Sequence, residues 1–129
     1  MYICAVKIII STSIAGDWRR PQNRNLWQGV NGVNNPCPIG WRIATEQEWK
    51  NEGLTSMNDA FTKLKLTYTG ARDVTSGEIK SMATLGMYWT STVHDDQLVH
   101  SYYTRIEATT VTQSINNRGN GYPCRCIKD

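Results

Sequence analysis

The stretch IATEQEWKNEGLTSMNDAFTKL, residues 43–64, holds the clearest secondary-structure signals in the chain. Thr45 followed by Glu48 is a capping box, in which the Thr45 hydroxyl accepts from a free helical N–H and the Glu48 carboxylate accepts from the backbone N–H of Thr45. Gly53 is the kind of residue that follows the end of a helix. This pattern predicts a short helix between Thr45 and Gly53, with Trp49 turned toward the core.

A second short helix is predicted for residues 57–64, because Met57, Phe61 and Leu64 fall on one helical face. From Leu66 onward the sequence changes to short runs that are typical of strands. These runs are KLTYTGARD (65–73), GMYWTSTV (86–93), VHSYYTRIEA (99–108), TTVTQS (109–114) and GYPCRCIKD (121–129). Two helices followed by a series of short strands predict an α+β fold with a largely antiparallel sheet.

The first residues of the chain allow two interpretations. Residues 2–10 are rich in Ile and Val, as a strand buried on both faces would be. The start also loosely resembles a signal peptide, but Lys7 interrupts the apolar run and no A-x-A cleavage site follows. We therefore expect a strand over 2–10, paired with the last strand, residues 122–128.

Length and composition fit a single globular domain over residues 1–129. Hydrophobic residues make up 40% and charged residues 19% of the chain, which is ordinary for a folded domain. The net charge is +3, and the densest basic cluster, residues 18–20 with Arg24, is not continued by alternating aromatic and basic residues. We therefore expect no nucleic-acid partner. No run approaches the roughly 20 apolar residues of a membrane-spanning helix, so membrane insertion is not expected either.

The four cysteines are Cys4, Cys37, Cys124 and Cys126. Cys124 and Cys126 are two residues apart, so in a strand their side chains point to opposite faces and cannot both bind one metal without a bend. No C-x-x-C pair accompanies them. The sequence therefore predicts no metal site, and it leaves open whether the cysteines are buried thiols or include one disulfide.

Three polar residues, His94, Asp95 and Asp96, follow the GMYWTSTV run. A metal site or an acid–base site needs further groups that converge on them. Asp is a standard turn residue, so we interpret the three as a polar turn. His100 has no Ser or Cys beside it in a recognisable nucleophile context. No catalytic residue and no cofactor is predicted.

Tyr, His, Arg and Asn residues recur between positions 94 and 122, and they are the mixture found in adaptable binding surfaces. Tyr supplies large contact area at low entropic cost, and Asn supplies hydrogen bonds of either polarity. Gly119 and Gly121 are expected to let the chain turn tightly while the Asn amides project outward. Trp89 is expected either at the base of this surface or in the core. The predicted ligand-binding residues are His94, Asp95, Asp96, His100, Tyr102, Tyr103, Arg105, Asn116, Asn117, Asn120 and Tyr122.

Three separated blocks resemble, in the same order, the Fibrobacter succinogenes major paralogous domain. They are GDWRRPQNRNLWQGVNGVNNPCPIGWRIATEQEW (16–49), YWTSTV (88–93) and NNRGNGYPCRCIKD (116–129). The resemblance implies a C-type-lectin-like fold, in the branch related to formylglycine-generating enzymes. This chain departs from the family by a few extra residues between positions 94 and 113 and by a short strand in place of a longer N-terminal lead-in.

The same fold carries the hypervariable proteins of diversity-generating retroelements, in which adenine-directed mutagenesis rewrites codons near the C-terminus. The resemblance therefore implies a variable ligand-binding segment over residues 94–122. That segment contains no Lys, Met or Trp, which mutation of the adenines in an AAY codon cannot produce, although the rest of the chain contains all three types. Gln97, Glu107 and Gln113 cannot be produced in this way either, so they would be fixed positions.

The resemblance also implies structural roles. Cys37 and Cys126 are the pair that matches the family, with Cys126 turned inward near Cys37. Independently of the resemblance, Trp27, Trp41 and Trp49 are expected to fill the core, so that changing them should unfold the domain through lost core volume. The reactive cysteine pair of the sulfatase-activating relatives is not reproduced by Cys124 and Cys126, and the calcium–sugar motifs of lectins are absent from the sequence.

The function expected on these grounds is a ligand-binding display domain of a cell surface or a virion, with an unknown protein or glycan as its ligand. The alternative is a structural module of a surface or secreted assembly that has no variable site. A near-copy of the 3′ coding segment beside a reverse transcriptase gene, differing at adenines, would distinguish the two.

Overall fold

The computed structural model describes residue 19, residues 21–95 and residues 99–129 of the chain. The predicted strand over 2–10, its pairing with the last strand, and Asp96 lie outside these residues. The elements in chain order are β1 (Trp41–Ile43), α1 (Glu46–Asn51), α2 (Met57–Leu64), β2 (Ala71–Arg72), β3 (Ile79–Lys80), β4 (Gly86–Val93), β5 (His100–Ile106), β6 (Val111–Asn117) and β7 (Cys126–Lys128).

The strands form one three-stranded sheet and two small ones. The largest sheet has the order β4-β5-β6, while β1 pairs with β7 and β2 pairs with β3. All of these pairings are antiparallel, and a bulge lies between Trp89 and Val93 in β4. Two short helices with antiparallel sheets, over the part of the chain that the structure describes, confirm the predicted α+β class.

The predicted strands differ in how well they match. The GMYWTSTV run forms β4 with the predicted ends, and the next two runs form β5 and β6 with shifted ends. The runs at 65–73 and 121–129 were predicted too long, since they contain only β2 and β7. In the first run, the backbone N–H groups of Thr69 and Gly70 both donate to the carbonyl of Leu85, and in the second the carbonyl of Pro123 accepts from Trp89. These segments therefore lie alongside the β4 edge of the large sheet and are not regular strands of it.

Helix α1 forms as its capping signal predicts. The Thr45 side chain accepts from the backbone N–H of Glu48, and the Glu48 carboxylate accepts from the backbone N–H of Thr45 at 2.8 Å. Gly53 follows the helix with φ of 58°, a left-handed conformation that favours glycine. Trp49 is buried, as predicted, and its ring lies 5.8 Å from that of Tyr88.

Helix α2 has the predicted bounds, and of the three residues predicted to share a face, Met57 is buried and Leu64 packs against the core, but Phe61 does not. Phe61 is 52% exposed, whereas Ala60 is fully buried beside Met57. The small Ala60 side chain lets the helix approach the core closely, and this orientation turns Phe61 outward. Lys65 then covers part of the Phe61 ring, with its Nζ 5.4 Å from the ring centroid.

The three-stranded sheet separates two cores, because successive side chains of β4 and β5 point to opposite faces. On the helical face, Tyr88 and Ile106 pack with Trp49 and with the buried residues of α2. On the opposite face, here called the aromatic face, the buried residues Met87, Trp89 and Tyr103 pack with partly buried neighbours. These neighbours include Trp27, Tyr122 and Cys124.

A disulfide between Cys37 and Cys126 joins the loop before β1 to β7, with 5.8 Å between the two Cα atoms. The pairing implied by the family resemblance is therefore confirmed. The expectation that Trp41 fills the core is wrong, since it is 40% exposed. Trp41 pairs with the exposed residue Lys128 at the end of a two-stranded sheet, where little of the core reaches it.

Candidate functional site

The predicted ligand-binding residues divide between the two faces of the three-stranded sheet. The register places His100 opposite Asn117 and Tyr103 opposite Ser114. Since side chains alternate along a strand, His100, Tyr102 and Asn117 lie on the helical face, whereas Tyr103, Arg105 and Asn116 lie on the aromatic face. The single surface expected from the sequence is therefore two surfaces.

On the aromatic face, the predicted binding residue Tyr103 belongs to the core and is only 5% exposed. The Tyr122 ring stacks on Trp89, with 4.4 Å between the ring centroids, and it lies 5.0 Å from Tyr103. Burial, followed by the neighbouring Tyr103, raises the pKa of Tyr122 to about 12, although its hydroxyl bonds with the Asn116 amide at 2.7 Å. These rings hold the C-terminal segment on the sheet, so Tyr103 is unavailable to a ligand.

The expectation that the Asn amides project outward is wrong for two of them. Asn116 donates to the Tyr122 hydroxyl, and the Asn120 side-chain oxygen accepts from the backbone N–H of Val74 at 2.9 Å. The Asn120 carbonyl also accepts from Nε1 of Trp89 at 3.3 Å. These amides satisfy backbone and aromatic groups under the C-terminal segment, and they stabilise the cover of the aromatic face.

Gly121 serves close packing and not the tight turn that the sequence predicted. Its φ lies outside the left-handed region, and its backbone pairs with Arg72 through bonds of 2.8 and 2.9 Å. A Cβ added at Gly121 would lie 3.0 Å from the Cβ of Arg72. Glycine suits this position because two chain segments approach each other closely, and a Cβ here would require Arg72 to shift by a few tenths of an ångström.

On the helical face, one corner of the sheet stays open. We call it the histidine surface, and it consists of His94, His100, Tyr102, Ile115 and Asn117. The His94 and Tyr102 rings lie 5.3 Å apart, and Tyr102 pairs with Ile115, which is 38% exposed. The other four side chains are half-buried. The helices pack over Tyr88 and Ile106 and leave this corner accessible.

Two arginines that the sequence analysis did not single out as site residues brace the histidine surface. Arg24 donates to the backbone carbonyl of His94 at 2.7 Å and forms an ion pair with the fully exposed Asp95 at 3.2 Å. Arg118 donates to the carbonyl of His100 at 3.4 Å. Their partners are 70 and 18 residues away in the chain, so no local pattern could have found them.

A groove of about 440 Å³ adjoins the histidine surface at Tyr102. It runs between α1 and β6, and its floor is apolar whereas its rim carries charged and amide side chains. The lining residues are Glu46, Trp49, Lys50, Leu54, Tyr102, Val111, Thr112 and Gln113. The sequence predicts Trp49 as a core residue and Tyr102 as a binding residue, and it does not predict that both line one groove.

Cys124 is a free thiol that packs against the buried residues of the aromatic face. Burial raises its pKa to about 11, which keeps the thiol protonated at neutral pH and unreactive. Among residues 21–95 and 99–129, no group of three or more His, Cys, Asp or Glu side chains is arranged to hold a metal ion. Over the same residues, no helix has the length and apolar character needed to span a membrane.

Comparisons of the chain with protein families, with characterised proteins and with experimentally determined structures gave no match.

Proposed function

We propose that this chain is a ligand-binding display domain on a C-type-lectin-like scaffold, and that it is a variable protein of a diversity-generating retroelement. The observation that carries the proposal is the histidine surface. His94, His100, Tyr102 and Asn117 stand half-exposed on one corner of the sheet, while the opposite face is filled by buried aromatic rings. The side chains suited to ligand binding thus lie on a different face of the sheet from the aromatic side chains that pack in the core.

Packing, a disulfide and two arginine contacts support the histidine surface. The aromatic face fixes β4 and β5 from below, and the Cys37–Cys126 disulfide anchors the segment that covers it. From the side, Arg24 and Arg118 hold the carbonyls of His94 and His100. A surface that is ordered before binding avoids the entropic cost of ordering loops, which preserves affinity.

The chemistry of the surface suits a protein or a glycan. Tyr102 and His94 offer flat rings that can contact apolar side chains or the apolar faces of sugars. The Asn117 amide offers a donor and an acceptor, and Ile115 adds an exposed apolar contact. The one neighbouring carboxylate described on this corner, that of Asp95, is paired with Arg24, so binding accounts for the arrangement better than acid–base chemistry.

The disulfide supports a location outside the cytosol. Disulfides persist in oxidising surroundings and are rare where glutathione keeps thiols reduced. The Cys37–Cys126 bond therefore favours a cell surface or a virion as the place of action. A structural module of a surface or secreted assembly would share this location, so the test must address variation of the surface.

Sequencing the 3′ coding segment across a population of the source organism tests the proposal. Adenine-directed substitutions are expected at the codons of His94, His100, Tyr102 and Asn117, and the codons of Trp89 and Tyr103 are expected to stay constant. A template copy beside a reverse transcriptase gene should differ from the coding segment at the same positions. An invariant segment with no template copy would contradict the proposal and favour the structural module.

A further inference from the structure

Strand β6 lies at an edge of the three-stranded sheet as far as the structure describes the chain. Two backbone hydrogen bonds show which residues of β6 bond to β5. The Glu107 N–H donates to the Thr110 carbonyl at 2.8 Å, and the Arg118 N–H donates to the Val99 carbonyl at 2.9 Å. In an antiparallel ladder, hydrogen-bonded and non-bonded pairs alternate. The even-numbered residues of β6 therefore bond to β5, and the odd-numbered residues point their backbone groups away from it.

Three outward residues, Val111, Gln113 and Ile115, present their N–H and C=O groups without a partner among the described residues. The edge ends at Asn117, where the backbone N–H donates to the Asn116 side chain at 2.8 Å and the carbonyl accepts from Asn120 at 3.1 Å. The free edge is therefore a short ladder of six backbone groups, and an extended chain can pair with all of them together.

The other edge of the sheet is closed. Along β4, Met87 donates to the Thr69 hydroxyl, Trp89 donates to the carbonyl of Pro123, and Ser91 donates to the carbonyl of Ala44, each at 3.0 Å. Proteins usually protect an exposed edge with Lys, Pro or a bulge. The β6 sequence VTQSINN contains no charged residue and no Pro, and the β5–β6 pairing has a continuous register.

We propose that β6 pairs in an antiparallel manner with β6 of a second copy of this chain, which joins two three-stranded sheets into one. A two-fold axis at Gln113 places Gln113 of one copy opposite Gln113 of the other, and Val111 of each copy opposite Ile115 of the other. The outward backbone groups of β6 in one copy then face the same groups in the other copy, as an isologous interface requires. Apolar pairs flank a central amide pair, and an uncharged strand avoids the like-charge contacts that symmetry would otherwise create.

The groove between α1 and β6 provides space for the side chain that this pairing brings in. Directly opposite residues lie on the same face of a sheet, so Ile115 of the second copy lies beside Val111 at the helical face. Val111 lines the groove together with Trp49 and Leu54. Ile115, 38% exposed in the single chain, thereby gains an apolar environment.

Sedimentation equilibrium of the full chain with matched substitutions at Gln113 tests the proposal. Gln113→Pro removes the outward N–H from each copy, two hydrogen bonds per dimer, and leaves the bonds from β5 in place. It is expected to weaken dimerisation at least about tenfold. Gln113→Ala loses the same side chain and its bond with the Thr104 hydroxyl but keeps the N–H, so it is expected to remain dimeric.

Cysteine crosslinking locates the two-fold axis. Gln113→Cys is expected to form a disulfide dimer under mild oxidation, since residues opposite in a hydrogen-bonded pair have Cα atoms about 5.5 Å apart. Thr112→Cys, one residue off the axis, lies beyond that reach from its own copy and is the control. Ile115→Lys, a change at an exposed residue, gives a second variant should Gln113→Pro unfold the chain, and it is expected to weaken the dimer.

Several results would overturn the proposal. A wild-type chain that stays monomeric up to high micromolar concentration excludes the dimer. Equal dimerisation of the proline and alanine variants, or equal crosslinking at positions 112 and 113, assigns any dimer to another surface. A monomer that instead takes up a strand-forming peptide along β6 shows that the edge serves a different partner.

Discussion

Tyr102 and Tyr103 are neighbours in the chain but belong to different regions of the molecule. Tyr103 is buried on the aromatic face between Trp89 and Tyr122, whereas Tyr102 stands half-exposed on the histidine surface beside His94. Strand alternation alone separates them. A segment rich in Tyr and Asn is therefore not one binding surface when it forms a strand, because every second side chain builds the core.

Substitution of the two tyrosines tests this separation with the largest expected effect. Tyr103→Ala removes a buried ring that contacts Trp89 and Tyr122, and we expect it to lower the free energy of unfolding by about 3 to 5 kcal/mol. Tyr102→Ala is expected to cost about 1 kcal/mol or less, as for a partly exposed residue. Urea unfolding of both variants measures the difference, and equal losses would show that both faces are core.

The disulfide is expected to act on the aromatic face more than on the histidine surface. Replacing Cys37 and Cys126 by Ser frees the segment that carries Tyr122, and the expected loss of stability is about 2 to 5 kcal/mol for so long a loop, 89 residues. Cys124→Ser, which leaves the disulfide in place, is the control for changing a cysteine near the aromatic face. Hydrogen exchange should show the loss of protection first in the segment around Asn120 and Tyr122, and uniform loss over both faces would contradict this expectation.

Low pH is expected to lower the free energy of unfolding by protonating Glu48 in α1. The hydrogen bonds from Arg42, followed by those from Thr45, outweigh burial and lower the pKa of Glu48 from 4.5 to about 2. A carboxylate whose pKa is depressed in the folded state adds stability that is fully present above the unfolded pKa and is lost as pH falls through the folded one. The contribution of Glu48 should therefore disappear between about pH 4.5 and pH 2.

Melting curves of the wild type and Glu48→Gln over that range test the acid effect. Because Glu48 is about one-third exposed, solvent screening keeps the effect modest. The two melting temperatures should converge as pH falls, since protonation removes the charge that the substitution removes. A constant difference between them would show that the carboxylate charge is not what matters.

The sequence predicted those features that depend on local patterns. The capping box of α1 and the composition of β4 act over a few residues, and both elements have the predicted position. Helical periodicity groups Phe61 with the buried residue Met57, yet Phe61 is 52% exposed, because periodicity fixes which residues share a face but not how far that face turns into the core. Trp41 was wrongly predicted to be buried, because the size of a side chain does not show whether other residues pack over the end of its strand.

The site was harder to predict because its geometry depends on distant partners. Asn120 accepts from Val74, and Arg24 reaches His94, across 46 and 70 residues of chain. Amide-rich composition indicated a display loop, but the contact with Val74 turns the Asn120 amide inward. Whether Tyr102 or Tyr103 points into the aromatic face depends on how β5 packs against β4, and the sequence alone does not show that packing.

The smallest expected effect on stability, and the largest on recognition, belongs to the histidine surface itself. His100→Ser and Asn117→Ser are each expected to change the free energy of unfolding by about 0.5 kcal/mol or less. The Nδ1 atom of His100 has no hydrogen-bond partner among the described residues, so its loss breaks no bond at that atom.

The same two substitutions should weaken binding of a ligand found by glycan-array or protein-display selection by about 2 kcal/mol, roughly thirtyfold, if they lie near the centre of the contact. Thr109→Ala, a change at an exposed residue in the turn between β5 and β6, at the opposite end of the hairpin from His100 and Asn117, is the control and should leave affinity unchanged. Stable variants that bind as tightly as the wild type would move the binding site away from the histidine surface. In that case the exposed edge of the aromatic face around Arg105 becomes the next surface to test, because its guanidinium is 41% exposed and lies next to Glu107.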